Sequence, residues 1–378
     1  MLQKARKVQV WQESIAIQLE LFQSTKKLNL SETYEAIPKD VSPNDPLIKW
    51  INDGVAESVE RPFHIDWKSF IAEISPANFK NKKTKKFQSH FPHLREARIE
   101  YAIISMASKQ VMKIDSDSEN NQIFYLKTTY YQIQKELVNS INKVEHKNLK
   151  PNDCPYNTSS IREALEILKR TDISVRNESG ENVYIFNRIK DIYMEDKKVV
   201  IELGNMITNY IRSWDWRASD SASILASKSY YVIKLRALLN LKFRYASKGA
   251  TYNPSLSYLV DKINFHEHKE KRITLQKVSK LLESMPEISD VVIEKKFDGR
   301  KIVDAILHIH PSQDFINTMI ENNQLTKRTE KAFLVDDTLM IEPLASESDS
   351  NGDYIRKKTA YDIARGKMLY WQKKKLFN

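Results

Sequence analysis

Residues 252–310 read YNPSLSYLVDKINFHEHKEKRITLQKVSKLLESMPEISDVVIEKKFDGRKIVDAILHIH, and the fold turns on how this stretch divides. Pro254 to Lys262 predicts a short lead-in helix, and His266 to Arg272 is a strongly basic link. Ile273 to Met285 predicts an amphipathic helix. Ser289 to Phe297 and Arg300 to His310 predict two strands joined through Asp298-Gly299. Asp-Gly between two β-rich runs is a strong hairpin signal, because both positions of such a turn favour positive φ. The order is therefore helix, helix, β-ribbon.

Periodicity checks the central helix. At 3.6 residues per turn, Leu275, Val278, Leu282 and Met285 fall on one stripe, with Leu281 at its edge. Gln276, Lys277 and Lys280 point the other way, and Lys269, Lys271 and Arg272 lie at the beginning. A helix with an apolar back and a Gln/Lys front suits a major groove, where Gln reads adenine and Lys reads guanine or a phosphate. The hairpin adds Lys295, Lys296, Arg300 and Lys301 near its tip, placed to grip the adjacent backbone. For the helix alone, a solvated basic face on an ordinary α+β domain is an equal reading. Its occurrence together with a basic hairpin favours DNA.

The chain has 378 residues, enough for two or three domains with substantial cores. A net charge of +11 and a pI near 9.3 make nucleic acid the leading anionic partner, through a term that carries no sequence information by itself. The single cysteine, Cys154, allows no internal disulfide and no thiolate zinc cluster, which fits a reducing cytoplasm. No run approaches the ~20 apolar residues of a membrane span. The start, Met1 to Lys7, lacks the apolar core of a secretory signal. A cytoplasmic protein associated with the nucleoid or a plasmid is expected. The seven glycines, at 54, 180, 204, 249, 299, 352 and 366, have neither the G-x-G-x-x-G nor the G-x-x-x-x-G-K spacing. No Rossmann fingerprint or P-loop is present, and no cofactor or metal is expected.

Residues 1–86 predict a partly helical N-terminal extension, with a helix over Val8 to Leu21 and then a stretch broken up by five prolines, at 38, 43, 46, 62 and 76. Trp50, Phe63, Trp67 and Phe70 argue against full disorder. Lys80 to Lys86 holds five lysines in seven residues and reads as a solvated linker or a DNA-contacting arm. Residues 87–112 predict a helix, and Asp115 to Asn121 a polar loop. Ile123 to Leu126 predicts a strand, followed by a helix capped by Thr128 or Thr129. Ser159 or Ser160 is expected to cap the next helix. Three β-like runs come after it, at Asp172 to Arg176, Asn182 to Arg188 and Lys197 to Leu203.

A related order recurs from about 228 to 315. It opens with Tyr230 to Phe243, a nearly all-apolar helix that belongs between domains or under the ribbon. Between the two units, Trp214 and Trp216 read as hinge packing rather than base stacking. Ser346 to Asp353 reads as an acidic, serine-rich linker, and Tyr354 to Phe377 as a basic helix. The expected division is an extension at 1–86, a first domain at 87–217, a second at 218–320, and a linker with a basic C-terminal helix at 321–378.

Three segments carry a resemblance. Residues 159–175, SSIREALEILKRTDISV, look like a third helix and first ribbon strand. Residues 227–239, SKSYYVIKLRALL, look like a domain-opening helix, and residues 297–307, FDGRKIVDAIL, like a wing. Together the chain resembles the plasmid replication initiators built from two tandem winged-helix domains, over roughly residues 87–320. The resemblance implies an α+β fold and a protein that binds direct repeats in double-stranded DNA at an origin. Base reading would fall on the helix of Gln276, Lys277 and Lys280. Phosphate contacts in the first domain would lie near Thr128, Tyr130, Ser159 and Arg162. It further implies origin melting, recruitment of a host initiator ATPase and replicative helicase, and a monomer–dimer equilibrium with autoregulation.

A rival reading is enzymatic. His308 and His310 share one face of a strand with Asp304. Rolling-circle nickases pair such histidines, as metal ligands, with a tyrosine nucleophile in a Y-x-x-x-K context, which Tyr354 to Lys358 and Tyr370 to Lys374 match. Both patterns are short, and His266 and His268 repeat the spacing in a predicted loop, so a non-enzymatic protein is expected. A tandem winged-helix transcription regulator or partition adaptor is the third class.

Overall fold

The computed structural model describes residues 28–52, 54–65, 68–80, 85–109, 113–118, 121–195, 198–212 and 217–340. The chain begins with strand β1 (Leu28–Leu30) and helix α1 (Glu32–Ala36). Three antiparallel pairs come next: β2 (Trp50–Asn52) with β3 (Val55–Ala56), β4 (Val59–Ile65) with β5 (Lys68–Ile74), and β6 (Ala77–Lys80) with β7 (Phe87–His90). Helix α2 (Leu94–Ala107) leads into the hairpin β8 (Lys113–Ser118) and β9 (Asn121–Thr128), then α3 (Tyr130–Glu145) and α4 (Thr158–Arg170). Strands β10 (Ile173–Asn177), β11 (Asn182–Phe186), β12 (Ile189–Glu195) and β13 (Lys198–Leu203) succeed them. Helix α5 (Asn205–Arg212), strand β14 (Arg217–Ser219) and helix α6 (Ser221–Leu225) connect to the second half. That half comprises α7 (Tyr230–Lys242), α8 (Leu256–Lys262), α9 (Lys271–Glu283), β15 (Ile288–Asp298), β16 (Lys301–Pro311) and the long α10 (Gln313–Met340).

The α+β expectation holds, and in each half three helices are followed by an antiparallel strand pair: α2, α3, α4 with β10–β11, which belongs to a four-stranded sheet, and α7, α8, α9 with β15–β16, a two-stranded ribbon. The expected boundaries do not follow the strand pairing. Strand β5, before residue 86, pairs with β10, after it, in a four-stranded sheet of order β11-β10-β5-β4. Strand β1 pairs with β14, which spans residues 217 and 218, and α10 runs through residue 320. Over its described residues, the supposed N-terminal extension is thus part of the first half. Pro62 hid it: proline removes a ladder donor and reads as a breaker, but β4 is an edge strand, where proline is tolerated. Phe63 and Phe70 are buried in the main core.

Three smaller corrections have equally local causes. Residues 87–90 form a strand rather than a helix start, since Pro92 disfavours helical backbone just before it and the chain pairs with β6 instead. The polar run 115–121 is mostly a hairpin, not a loop. Its strand β8 is the edge of the sheet β12-β13-β9-β8, and polar residues are usual on an unpaired edge. Helix α4 is capped by Asn157, whose side chain accepts the Ser160 amide at 2.8 Å, so Ser159 and Ser160 lie inside the first turn. Thr129 caps α3 as one of the two options. The helix expected over Val8 to Leu21, the tryptophans at 214 and 216, the acidic linker and the basic C-terminal helix lie outside the described residues.

Helix α7 contributes to both hydrophobic cores. Ile233, Ala237 and Leu241 pack in the core of the first half, while Leu235, Leu238, Leu239 and Phe243 pack in that of the second. Spacings of four on one side and three to four on the other give the helix two apolar faces, which accounts for its nearly continuous hydrophobicity. Burial between domains or under the ribbon was expected of it, and its residues lie in both cores. The buried charges were not expected: Lys234 lies 3.4 Å from Glu35, and Arg236 pairs with Glu287 at 2.8 Å.

Lys234 belongs to a buried ionic cluster. Arg188 reaches Asp40 at 2.6 Å and Glu100 at 2.8 Å, and its guanidinium also donates to the Lys39 carbonyl. Lys39 pairs with Glu35 at 3.2 Å. Tyr101 donates to Glu35 at 2.6 Å, and Tyr34 donates to Glu100. Three carboxylates thus meet three cations, drawn from α1 and the segment after it, from α2, from the β11–β12 link and from α7. Burial alone would raise the Asp40 carboxyl, but Arg188, Lys234 and Lys39 outweigh it and hold the group below its ordinary range. Glu35 is lowered in the same way, against burial, by Lys39 and Lys234. Among the described residues no helix is long and apolar enough to cross a membrane.

Candidate nucleic-acid interface

Helix α9 forms because its periodic apolar face has a core to meet. Leu275, Val278 and Leu282, with Met285 just beyond the helix, are buried against α7, α8 and the inner face of the ribbon. Leu281 is half-buried at the edge of that stripe. Gln276, Lys277 and Lys280 are exposed on the opposite side. Fixing the apolar stripe fixes the outward direction of the polar one, because residues three and four apart share a face.

The basic residues divide by what already holds them. Lys277 lies 2.8 Å from His268 Nε2, and the His268 amide donates to Thr274 at 3.0 Å, so the link folds back on the first turn. Lys271 is half-buried and pairs with Glu267, while Arg272 lies 3.9 Å from Glu270. Lys269, Gln276 and Lys280 are exposed and have no side-chain partner among the described residues. Lys271, one of the cations expected to contact DNA, is therefore already paired. Glu267 lies in the link outside the helix, so this pairing follows from how the link folds back and not from helical spacing.

The ribbon is longer than the body it packs on. Ala305, Leu307 and Ile309 are buried against the helices, with Val291 and Ile293 opposite them. Every residue from Glu294 to Lys301 is exposed. Lys295, Lys296, Arg300 and Lys301 all lie on this projecting part, without ion-pair partners among the described residues. The turn differs in detail from the expectation. Asp298 pairs with Lys301, so the two loop residues are Gly299 and Arg300, and only Gly299 has positive φ, at 56°. A glycine at the first central position is the requirement of a type II′ turn, which matches strand twist as well as the expected alternative does.

In the first half, Ser159 and Arg162 are exposed on α4, and Arg162 has no ion-pair partner among the described residues. Tyr130 is half-buried against the main core. Thr128 is fully buried and donates to Gln132 at 3.0 Å, so its side chain faces inward rather than toward a phosphate. It sits at the end of β9, opposite Val199, where strand alternation points it into the core.

His308 and His310 lie on the outer face of β16 with Asp304, as alternation requires. His308 Nδ1 is 3.0 Å from Asn253 and its Nε2 is 3.4 Å from Glu294. Asp304 accepts the backbone amides of Ser257 at 3.1 Å and Ala305 at 2.9 Å, the bonds of a structural carboxylate. No group of three His, Cys, Asp or Glu able to hold a metal occurs among the described residues. The tyrosines at 354 and 370 lie outside them.

No family model matches the chain, and no curated protein matches it. Among solved structures, the chain is similar to the Pi initiator protein in complex with iteron DNA, at 16% identity and a TM-score of 0.39, over 59% of this chain and 96% of that one. It is also similar to two structures of domains 2 and 3 of RctB. One is 11% identical with a TM-score of 0.41, over 72% of this chain and 94% of that one. The other is 11% identical with a TM-score of 0.37, over 74% of this chain and 98% of that one.

Proposed function

We propose that the protein binds double-stranded DNA in a sequence-specific manner and acts at an origin of replication. One observation carries the DNA reading: a rigidly backed helix presents Gln276 and Lys280 beside a projecting ribbon with four cations, all without side-chain partners among the described residues. Such a helix has the width a major groove accepts, and Gln is among the few side chains able to make a bidentate contact with adenine. The cations of the ribbon then supply sequence-independent phosphate contacts that set the register. Ser159 and Arg162 on α4 serve as phosphate contacts of the first half. The origin role, with recruitment of a host initiator ATPase and helicase, and autoregulation through a monomer–dimer equilibrium, rests on the resemblance of the three sequence segments to plasmid initiators.

The test is to select duplexes from a random pool with the purified full chain, then measure shifts at several salt concentrations. Gln276→Ala is expected to cost ~1–3 kcal/mol at one base position and to relax the preference there. Arg300→Ala is expected to weaken all sequences alike and to lower the salt slope by about one. Failure to enrich any sequence overturns the reading.

A further inference from the structure

The distal ribbon holds an aromatic side chain that neither its fold nor its charge accounts for. Phe297 is 60% exposed, in the part of β15 that stands clear of the core. Its cross-strand neighbour is Ile302, and the register shifts between Lys296 and Phe297, so that Val303, 46% exposed, is passed over in the pairing. A register irregularity of this kind twists a ribbon and re-aims its tip. Lys295 and Lys296 precede Phe297, and Arg300 and Lys301 lie across the turn; on this stretch Asp298 is the one carboxylate without a side-chain partner among the described residues. A lone surface hydrophobic residue needs no explanation. One at the end of a solvent-projecting arm, bracketed by four cations without ion-pair partners among the described residues, sits where a polyanion would be held, with an apolar group aimed into it.

We infer that Phe297 is an apolar wedge that enters the duplex beside the segment read by α9 and unstacks one base step. The inference rests on the DNA-binding function proposed for the same surface. A two-stranded ribbon fits a groove, and from Glu294 to Gly299 it spans roughly 15 Å, enough to reach from the protein body across a backbone. The cations neutralise the phosphates on either side, so the ring meets sugar and base faces, the apolar parts of DNA. Phenylalanine and leucine side chains inserted between base steps kink a duplex, and the wider protein contact that the bend allows offsets the unstacking. The wedge assigns the ribbon a second role beyond phosphate gripping: it sets the shape of the bound DNA.

The experiment uses the full chain and a duplex recovered by selection from the random pool. 2-Aminopurine is placed at successive positions flanking the selected motif, and end-to-end distance is followed by energy transfer. The wild type is expected to raise 2-aminopurine fluorescence at one step and to shorten the end-to-end distance. Phe297→Ala is expected to lose both, with affinity falling by less than about tenfold and the selected sequence unchanged. Phe297→Leu, which keeps an apolar wedge, is expected to retain most of the bend. Wild-type fluorescence and bending in Phe297→Ala overturn the inference while leaving DNA binding intact. So does a loss confined to single-stranded oligonucleotides. If no duplex is enriched by the wild type, it is the DNA-binding reading that fails, and the wedge falls with it.

Discussion

Replacing Arg188 by methionine removes one cation from a buried cluster that is balanced as it stands. The carboxylates of Glu35, Asp40 and Glu100 face Lys39, Lys234 and Arg188, all with little or no exposure. Methionine approximates the volume but leaves the cluster with one net negative charge away from water. Two bonds to carboxylates, at 2.6 and 2.8 Å, and one to the Lys39 carbonyl disappear together. Breaking a buried pair by removing one partner costs about 3–5 kcal/mol, because the surviving charge stays desolvated. Glu100→Gln in the same background restores neutrality, so the double variant is expected to be more stable than the sum of the single changes by about 1–3 kcal/mol. Urea denaturation followed by far-UV circular dichroism measures each term.

The same cluster sets an acid limb. Folded Asp40 and Glu35 titrate below their ordinary values of 3.8 and 4.5. Their contribution is complete above those values and is lost as pH falls through them toward the folded-state pKa values. In Arg188→Met the Asp40 part of this limb shrinks, since after burial Arg188 is its largest influence. An Arg188→Met protein within about 1 kcal/mol of wild type, or strict additivity with Glu100→Gln, refutes the reasoning.

Two further outcomes are expected. Gly204 donates its amide to the Arg188 carbonyl at 3.0 Å, and a Cβ there would stand 1.8 Å from the Asn187 carbonyl oxygen. Gly204→Ala therefore requires the backbone itself to move. It is expected to cost at least the ~3 kcal/mol at the upper end of ordinary overpacking, and an unchanged melting temperature counts against the packing described. The Glu145 carboxyl, bonded to Lys147 and Lys228, is lowered to about 2. A carbon-detected NMR titration is expected to place it there, with Lys147→Gln moving it back toward 4.5; an ordinary midpoint in the wild type contradicts the pairing. Its stabilising effect is present above 4.5 and fades as pH falls toward 2.

The second half was largely legible from residues 252–310 alone. Its elements are local: an apolar stripe at helical spacing in 275–285, alternation in 288–311, and a glycine at the one turn position that needs positive φ. Exposure of Gln276 and Lys280 follows from the same stripe, so the candidate reading face needed no coordinates. The ribbon cations were equally visible, but their freedom was not. Whether Lys271 is spent on Glu267, or Lys277 lies against His268, depends on how the link folds back.

The first half was less legible because its sheets are assembled from distant segments. Strand β5 finds β10 about a hundred residues later, and β1 finds β14 nearly two hundred later. Nothing in either strand names its partner. A proline such as Pro62 reads as a breaker until the sheet shows that its strand is an edge. The ionic cluster is the extreme case. Lys39, Asp40, Glu100, Arg188 and Lys234 look like ordinary surface charges in sequence, and only convergence of four separate segments buries and neutralises them. Short-range periodicity determines which face an element hides; long-range pairing decides what hides it, and that information exists only in the assembled chain.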